Sequence, residues 1–444
     1  MDKIRTVAET LAILHQYHHP FGLERQPKQL KTADFDGPVI FSNDPETATV
    51  PPAFFTVQTI QELKALGGVP DSRYGPGKIE PYHPLPEPFS AERLASVSGH
   101  HIDLRKAFRA YIYGDSALVK DYEEMLNAKR FPMKVALYSG EEITITADNP
   151  LIIEDKEHCG ELVVLVYDKI TIEPEGKVIC YTNGRIEANV IQGFGGNPLQ
   201  FVHKGRDGET GAPGATGNSG ANGVDGSPGR QKKDTCVTPP TSGTDGTKGS
   251  PGTKGSDGEP GGMADKLTVA AAHLDGMVYL VSKGGDGGNG GYGGDGGGGG
   301  NGGDGGFCND GSDRSYSGGH SYVTTSSLYR SGNGGNGADG GEGGNGGNGG
   351  NSGDGGDIEC SYSTGNPNIS YWSTPGLAGA GGRAGRGGKG GDGGSAWCNI
   401  EDRIRNLSCS GKPGKKGIDG KSGGPGNPGK GGRIYINGKL LGNE

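Results

Sequence analysis

The histidines, cysteines and carboxylates of this 444-residue chain are the groups able to act as bases, nucleophiles or metal ligands, and their spacing argues against each role. His18–His19 and His100–His101 are adjacent pairs, whereas two ligands on one helix face stand three or four residues apart. No CxxC, HExxH or phosphate-binding loop occurs. Glu123 and Glu124 sit in a charged, helix-like stretch and read as a solvated face. The expectation is a protein that is not an enzyme, with no cofactor and no metal.

Residues suited to recognition are concentrated elsewhere. Loop 308–331 carries Tyr316, His320, Tyr322, Tyr329 and Arg330 among Ser, Thr and Gly. Aromatic rings supply contact area and small polar residues supply adaptable hydrogen bonds. Loop 396–410 adds Trp397, Arg403 and Arg405. The competing reading of the same residues is a solvated cap with a small aromatic core. Cys236, Cys308, Cys398 and Cys409 lie in three connections. They form either two disulfides, whose pairing sequence alone does not fix, or buried free thiols. Cys159 and Cys180 read as buried thiols or a further bond, and seven cysteines leave at least one unpaired.

These loops are what a glycine repeat leaves over. The chain has 92 glycines, mostly after residue 204, and only 31% apolar residues. An ordinary core is therefore excluded in the second half. Glycine recurs every third residue in six tracts: 205–229, 243–262, 284–307, 332–357, 378–395 and 411–432. A period of three matches an extended helix with three residues per turn, and a side-chain-free stripe lets neighbouring backbones bond. The expectation is a six-helix antiparallel polyglycine-II/polyproline-II bundle over 205–432. Tracts three to five, which read GGX, should be the most enclosed. Up-and-down order puts loops 230–242, 308–331 and 396–410 at the end far from the N-terminal half. It puts 263–283 and 358–377 at the near end. Asp and Asn at the X positions of tracts three and four should pair with Arg383, Arg386 and Lys389 of tract five. The lysines of tract six, Lys412, Lys415, Lys416, Lys421 and Lys430, should pair likewise.

The first half must anchor this. Residues 1–132 read as a mostly helical attachment or oligomerisation region, with helices at 2–17, 57–66 and 103–129 around a proline-rich stretch. Residues 133–204 read as short strands of a β-solenoid or sandwich, completed by 433–441, so the fold class is multidomain. Net charge is −9, which excludes nucleic acid and anionic membrane as bulk partners. No run is long enough for membrane insertion, and no classical signal peptide is read. The expected location is extracellular or particle-associated.

The organisation of residues 205–432 resembles the polyglycine-II receptor-binding tip adhesins of T-even-type phage tail fibres. In tract count it also resembles the Gly-rich antifreeze proteins of snow fleas. The adhesin resemblance implies a rigid bundle presenting far-end loops to a cell-surface receptor or glycan, with the N-terminal half holding a fibre, a particle or another copy. The alternatives are a structural subunit of an extracellular filament, coat or crystal, and, more weakly, an ice-binding protein. The X positions argue against ice binding, because they are Asp, Asn, Lys and Arg rather than a regular Thr or Ala face.

Overall fold

The computed structural model describes residues 5–68, 70–75, 85, 90–98, 101–156, 160–193, 199–232, 235–312, 316–317, 320–321, 327–398 and 409–441. The first region contains α1 (Val7–Tyr17), β1 (Gln29–Lys31), β2 (Val39–Ser42), β3 (Ala53–Val57), α2 (Ile60–Gly67), α3 (Ala91–Ala95), α4 (Ile102–Tyr113) and α5 (Glu123–Arg130). Helix α1 starts where it does because Thr6 and Glu9 close a reciprocal capping box. Six strands follow: β4 (Met133–Ile145), β5 (Leu151–Glu154), β6 (Val163–Ile172), β7 (Lys177–Cys180), β8 (Gly184–Gly193) and β9 (Leu199–Lys204).

The glycine-rich half carries strands of its own. They are β10 (Arg230–Lys232), β11 (Thr235–Thr238), β12 (Leu267–Leu274), β13 (Met277–Lys283), β14 (Phe307–Ser312), β15 (Tyr316–Ser317), β16 (His320–Ser321) and β17 (Ser327–Ser331). Then come β18 (Ile358–Thr364), β19 (Asn368–Thr374), β20 (Ile434–Ile436) and β21 (Lys439–Leu441).

Two sheets organise the molecule. The nine-stranded sheet runs β1-β4-β6-β8-β12-β18-β20-β21, with β3 also on β4. The six-stranded sheet runs β19-β13-β9-β7-β5-β2. Pairing is parallel except for β3 with β4 and β20 with β21. From β4 to β20, the separate two-stranded pairs aside, the chain alternates between the sheets, one strand in each, and alternate apolar residues meet between them. Phe41 stacks on Tyr138 at 4.0 Å in that core. The other face of the large sheet, through Val135, Leu137, Val164 and Val166, buries a second core against the helices, with Leu63, Leu104, Phe108 and Leu126.

The six glycine tracts are excursions from this coil. The chain leaves the small sheet at the ends of β9, β13 and β19 and re-enters the large sheet at β12, β18 and β20. Segments one, three and five therefore prolong small-sheet strands, and segments two, four and six lead into large-sheet strands. The sheet register carries straight on. Lys204 pairs with Lys283, and then Gly205 N–H donates to Lys283 O, Gly208 to Asp286 O and Gly211 to Asn289 O. Segments of one set are parallel to each other. Segments consecutive in the chain are antiparallel, as in Thr244 N–H to Val224 O and Thr247 N–H to Ala221 O.

The expected fold class is overturned. Among the described residues there are only five α-helices, the longest of 12 residues, so the first region is not mostly helical. The 103–129 helix ends at Tyr113, before Gly114. The sheets take strands from before residue 133 and after 204, so the β region is not a separate 133–204 domain. There is no six-helix bundle standing beside it. The tracts are extended segments whose backbone bonds run sideways to neighbours, and they continue the strands of two parallel sheets. The physical reason is that glycine's bare stripe satisfies its N–H groups only on a neighbouring backbone, and the sheets already fix where that neighbour lies.

Enclosure also differs from expectation. Segment three bonds segments one, two, four and five, and segment four bonds two, three, five and six. Among the described residues segment five bonds only three, four and six, so it forms part of an edge. The side-chain ladder differs too. Asp286, Asn289, Asp295, Asn301 and Asp304 accept from the backbone N–H of Leu377, Ala380, Arg386, Asp392 and Ser395, always 91 residues on. Asn336, Asp339, Asn345 and Asp354 accept from Lys412, Lys415, Lys421 and Lys430, always 76 residues on. Asp and Asn stand at X because the next parallel segment presents an outward N–H there. The ion pairs found among the segments run along one segment instead, as Lys254–Asp257 at 2.9 Å and Lys416–Asp419 at 2.8 Å.

Candidate functional site

The connections 230–242, 308–331 and 396–410 join segments that run away from the sheets to segments that return, so they share the far end. There β10 and β11 form a hairpin, β14 pairs with β17, and β15 pairs with β16. Cys236 is bonded to Cys308, which ties the first connection to the second. Cys398 is bonded to Cys409, which closes the third. Gly229 is required beside the first bond: a Cβ there would lie 2.6 Å from Cys308 Cβ and 2.9 Å from Cys236 Sγ. Two disulfides are compatible with an oxidising environment.

The structure gathers only part of the expected residue set. Tyr329 and Arg330 lie on β17, opposite Asn309 and Cys308. Tyr316 and His320 lie on β15 and β16, opposite Ser321 and Ser317. Trp397 is 68% exposed and meets Phe307 at 6.1 Å between ring centroids. The Ser331 hydroxyl donates to the Trp397 carbonyl, joining the second and third connections. Tyr322, Arg403 and Arg405 lie outside the described residues. Phe307 was missed because it occupies the last X of tract three; its departure from the Asp, Asn and Gly found at neighbouring X positions was the available signal.

The near end is chemically busier but closed. Helix α4 grips the point where segment two re-enters the large sheet. Arg109 Nη1 donates to Ala264 O at 3.0 Å, and Arg105 lies 3.5 Å from Asp265. Lys266 Nζ bonds Glu359 Oε2 at 2.7 Å and sits 4.8 Å over the Tyr113 ring. His203 is fully buried with Nε2 3.0 Å from Thr182 O, and burial pulls its pKa down to about 4. A neutral, enclosed imidazole here holds the chain together; it is not poised for proton transfer near neutral pH. Cys180 and Cys360 are free and buried, and burial pushes both thiols up to about 12. Cys159 lies outside the described residues.

No group of three or more His, Cys, Asp or Glu suited to a metal occurs among the described residues. No helix among them is long and apolar enough to cross a membrane. No family model matches the chain, and neither a curated protein nor a solved structure matches it.

Proposed function

We propose that this chain is a non-enzymatic, adhesin-like binding protein whose far-end connections contact a cell-surface receptor or glycan. The observation that carries the reading is the placement of both disulfides. One ties the first connection to the second and the other closes the third on itself, all at the end remote from the sheets, beside the exposed Trp397 and Phe307. Glycine segments already order themselves through backbone bonds, so covalent staples are needed only where the connections must keep a shape. Preorganised loops bind more tightly because less ordering entropy is lost on contact. The sheet-bearing half serves as the anchor to a fibre, a particle or another copy, and the setting is extracellular or particle-associated.

The test is binding of labelled protein to a panel of bacterial surfaces and glycans, beside Trp397→Ala and a variant with loop 308–331 replaced by a Gly-Ser linker. Selective, saturable binding that both variants lose supports the reading. Equal binding by all three proteins, or none by any, refutes it.

A second reading, a structural subunit of an extracellular filament or coat, is favoured by one observation. Strand β19 is the open edge of the six-stranded sheet, and Trp372 and the following Leu377 are exposed there. Filaments or lattices forming at raised concentration without ligand would select it.

A further inference from the structure

Segments five and six end the two parallel sets, and their residues differ from those of the segments before them. In segments one to four, the glycine after each X residue donates its N–H to the next parallel segment: Gly208 to Asp286 O, Gly243 to Asn333 O, Gly287 to Leu377 O and Gly337 to Lys412 O. The equivalent row in segment five is Ala378, Gly381, Ala384, Gly387, Gly390 and Gly393, and no segment follows. Among the described residues, Ala378, Gly381, Ala384, Gly390 and Gly393 N–H have no acceptor, and all five residues are half-exposed. In segment six the same row reads Pro413, Lys416, Asp419, Ser422, Pro425, Pro428 and Gly431, so three of its seven donors are deleted.

One donor of the segment-five row is occupied, and its partner shows what the row accepts. Gly387 N–H donates to Asp419 Oδ1 at 2.7 Å, and Lys416 Nζ bonds the same oxygen at 2.8 Å. Asp419 is held below the usual carboxylate range by the Lys416 bond, then the Gly387 bond, with Lys416 and Arg386 also acting through space. Cations from both segments thus converge on a carboxylate seated on this edge. Around it, Arg383, Arg386, Lys389, Lys412, Lys415, Lys421 and Lys430 are all exposed. No ion pair involves any of the seven among the described residues, although the chain as a whole carries net charge −9.

We infer that the edge formed by segments five and six is a binding track for an extended acidic polysaccharide, whose carboxylates take the vacant N–H positions on either side of Asp419. Donors recurring every third residue stand about 9 Å apart, so alternate sugars of a linear chain with a carboxylate on each would meet them, between two lines of cations. Attraction of this kind rests on counterion release and falls steeply with salt. The track lies along the flank of the segments, away from the tip connections, so it stands or falls independently of the tip reading.

The experiment measures retention of the full chain on immobilised polygalacturonate, with neutral dextran as control, at about 50 mM and about 300 mM salt. Wild type should bind the acidic polymer only, and lose most of that binding at the higher salt. Arg383→Gln/Arg386→Gln/Lys389→Gln should weaken binding about tenfold or more, since each contact with a charged group contributes a few-fold. Ala378→Pro/Ala384→Pro deletes two vacant donors without changing charge or any bond within the protein. Proline already occupies the equivalent row in segment six, so the melting temperature should hold while affinity drops about threefold or more. Lys248→Gln/Lys254→Gln, on segment two, should change nothing. Equal retention on dextran, equal loss in the segment-two variant, or unaltered binding by the proline variant would each overturn the inference. So would sedimentation showing that retention reflects self-association of the protein.

Discussion

Gly297 and Gly298 are neighbours in segment three, and replacing each by alanine should give opposite results. A Cβ on Gly297 would lie 2.0 Å from Asn218 O and 2.3 Å from Asn218 C. Relief requires segments one and three to separate by more than an ångström. The bonds that join these two segments here, Gly217 N–H to Asp295 O at 2.7 Å and Gly220 N–H to Gly298 O at 2.8 Å, are then both stretched. Each lost bond removes about 1 kcal/mol, and a buried group left unsatisfied adds about 1–3 kcal/mol, so Gly297→Ala should cost about 3–5 kcal/mol. Gly298 is an X position whose Cβ would meet Ser219 Oγ at 3.6 Å and Lys389 O at 3.8 Å, ordinary contact distances. Alanine fits there and narrows the unfolded ensemble, so Gly298→Ala should gain about 0.4–1 kcal/mol. Calorimetric melting of the two variants beside wild type is the assay. At about 2 °C per kcal/mol for a chain this large, Gly297→Ala should melt several degrees lower and Gly298→Ala slightly higher. Equal midpoints for the two would refute the claim that close backbone approach, rather than glycine content, dictates the repeat.

Three further outcomes are expected. Chain-entropy arithmetic for the sequence separations of 72 and 11 gives about 4 kcal/mol lost in Cys236→Ser/Cys308→Ser and about 3 kcal/mol in Cys398→Ser/Cys409→Ser, read by urea unfolding. His203 is neutral and buried with a pKa near 4 against an ordinary 6.5, so the unfolded chain binds the extra proton. Stability then falls as pH drops from about 6.5 to about 4, by up to about 3 kcal/mol, and His203→Gln should flatten the melting-temperature profile across that window. Asn301 accepts from Asp392 N–H at 2.9 Å on an exposed flank, so Asn301→Ala should cost about 0.5–1 kcal/mol by calorimetry, whereas Arg386→Ala, on a terminal segment, should cost almost nothing.

How far the sequence can be read follows from where each signal sits. The three-residue period is written in every tract, so the sideways bonding of extended segments and the sorting of their connections onto two ends are accessible from Gly205 onward. What the period hides is that the segments belong to the sheets. LTVAAAHL and MVYLVSK lie between tracts and read as a loop needing cover, yet each adds a parallel strand to a different sheet. Parallel pairing joins residues far apart in sequence, such as Leu267 with Gly184 and Ile358 with Leu267, and no local pattern announces it. The short strands Gln29–Lys31 and Val39–Ser42 were lost among helical expectations because three or four residues carry too little periodicity. Up-and-down order sorts the cysteine-bearing connections onto the far end, while the pairing of Cys236 with Cys308 depends on which connections lie side by side, and no local pattern states that.

The charge pattern has a cause that sequence reading inverted. Acidic and amide residues on segments three and four, followed by basic residues on five and six, look like facing stripes that neutralise each other. In the structure, an X residue that precedes a parallel neighbour must offer an acceptor to an outward N–H, which lysine and arginine have no lone pair to do. Asp and Asn therefore fill those positions for as long as another segment follows. At segments five and six nothing follows, the requirement lapses, and cations and prolines appear instead. Both also discourage a further backbone from adding to the edge. The same change that closes the stack leaves a basic flank on an acidic protein, with a line of unclaimed donors beside it. Termination of the fold and the chemistry of that flank thus have a single structural origin.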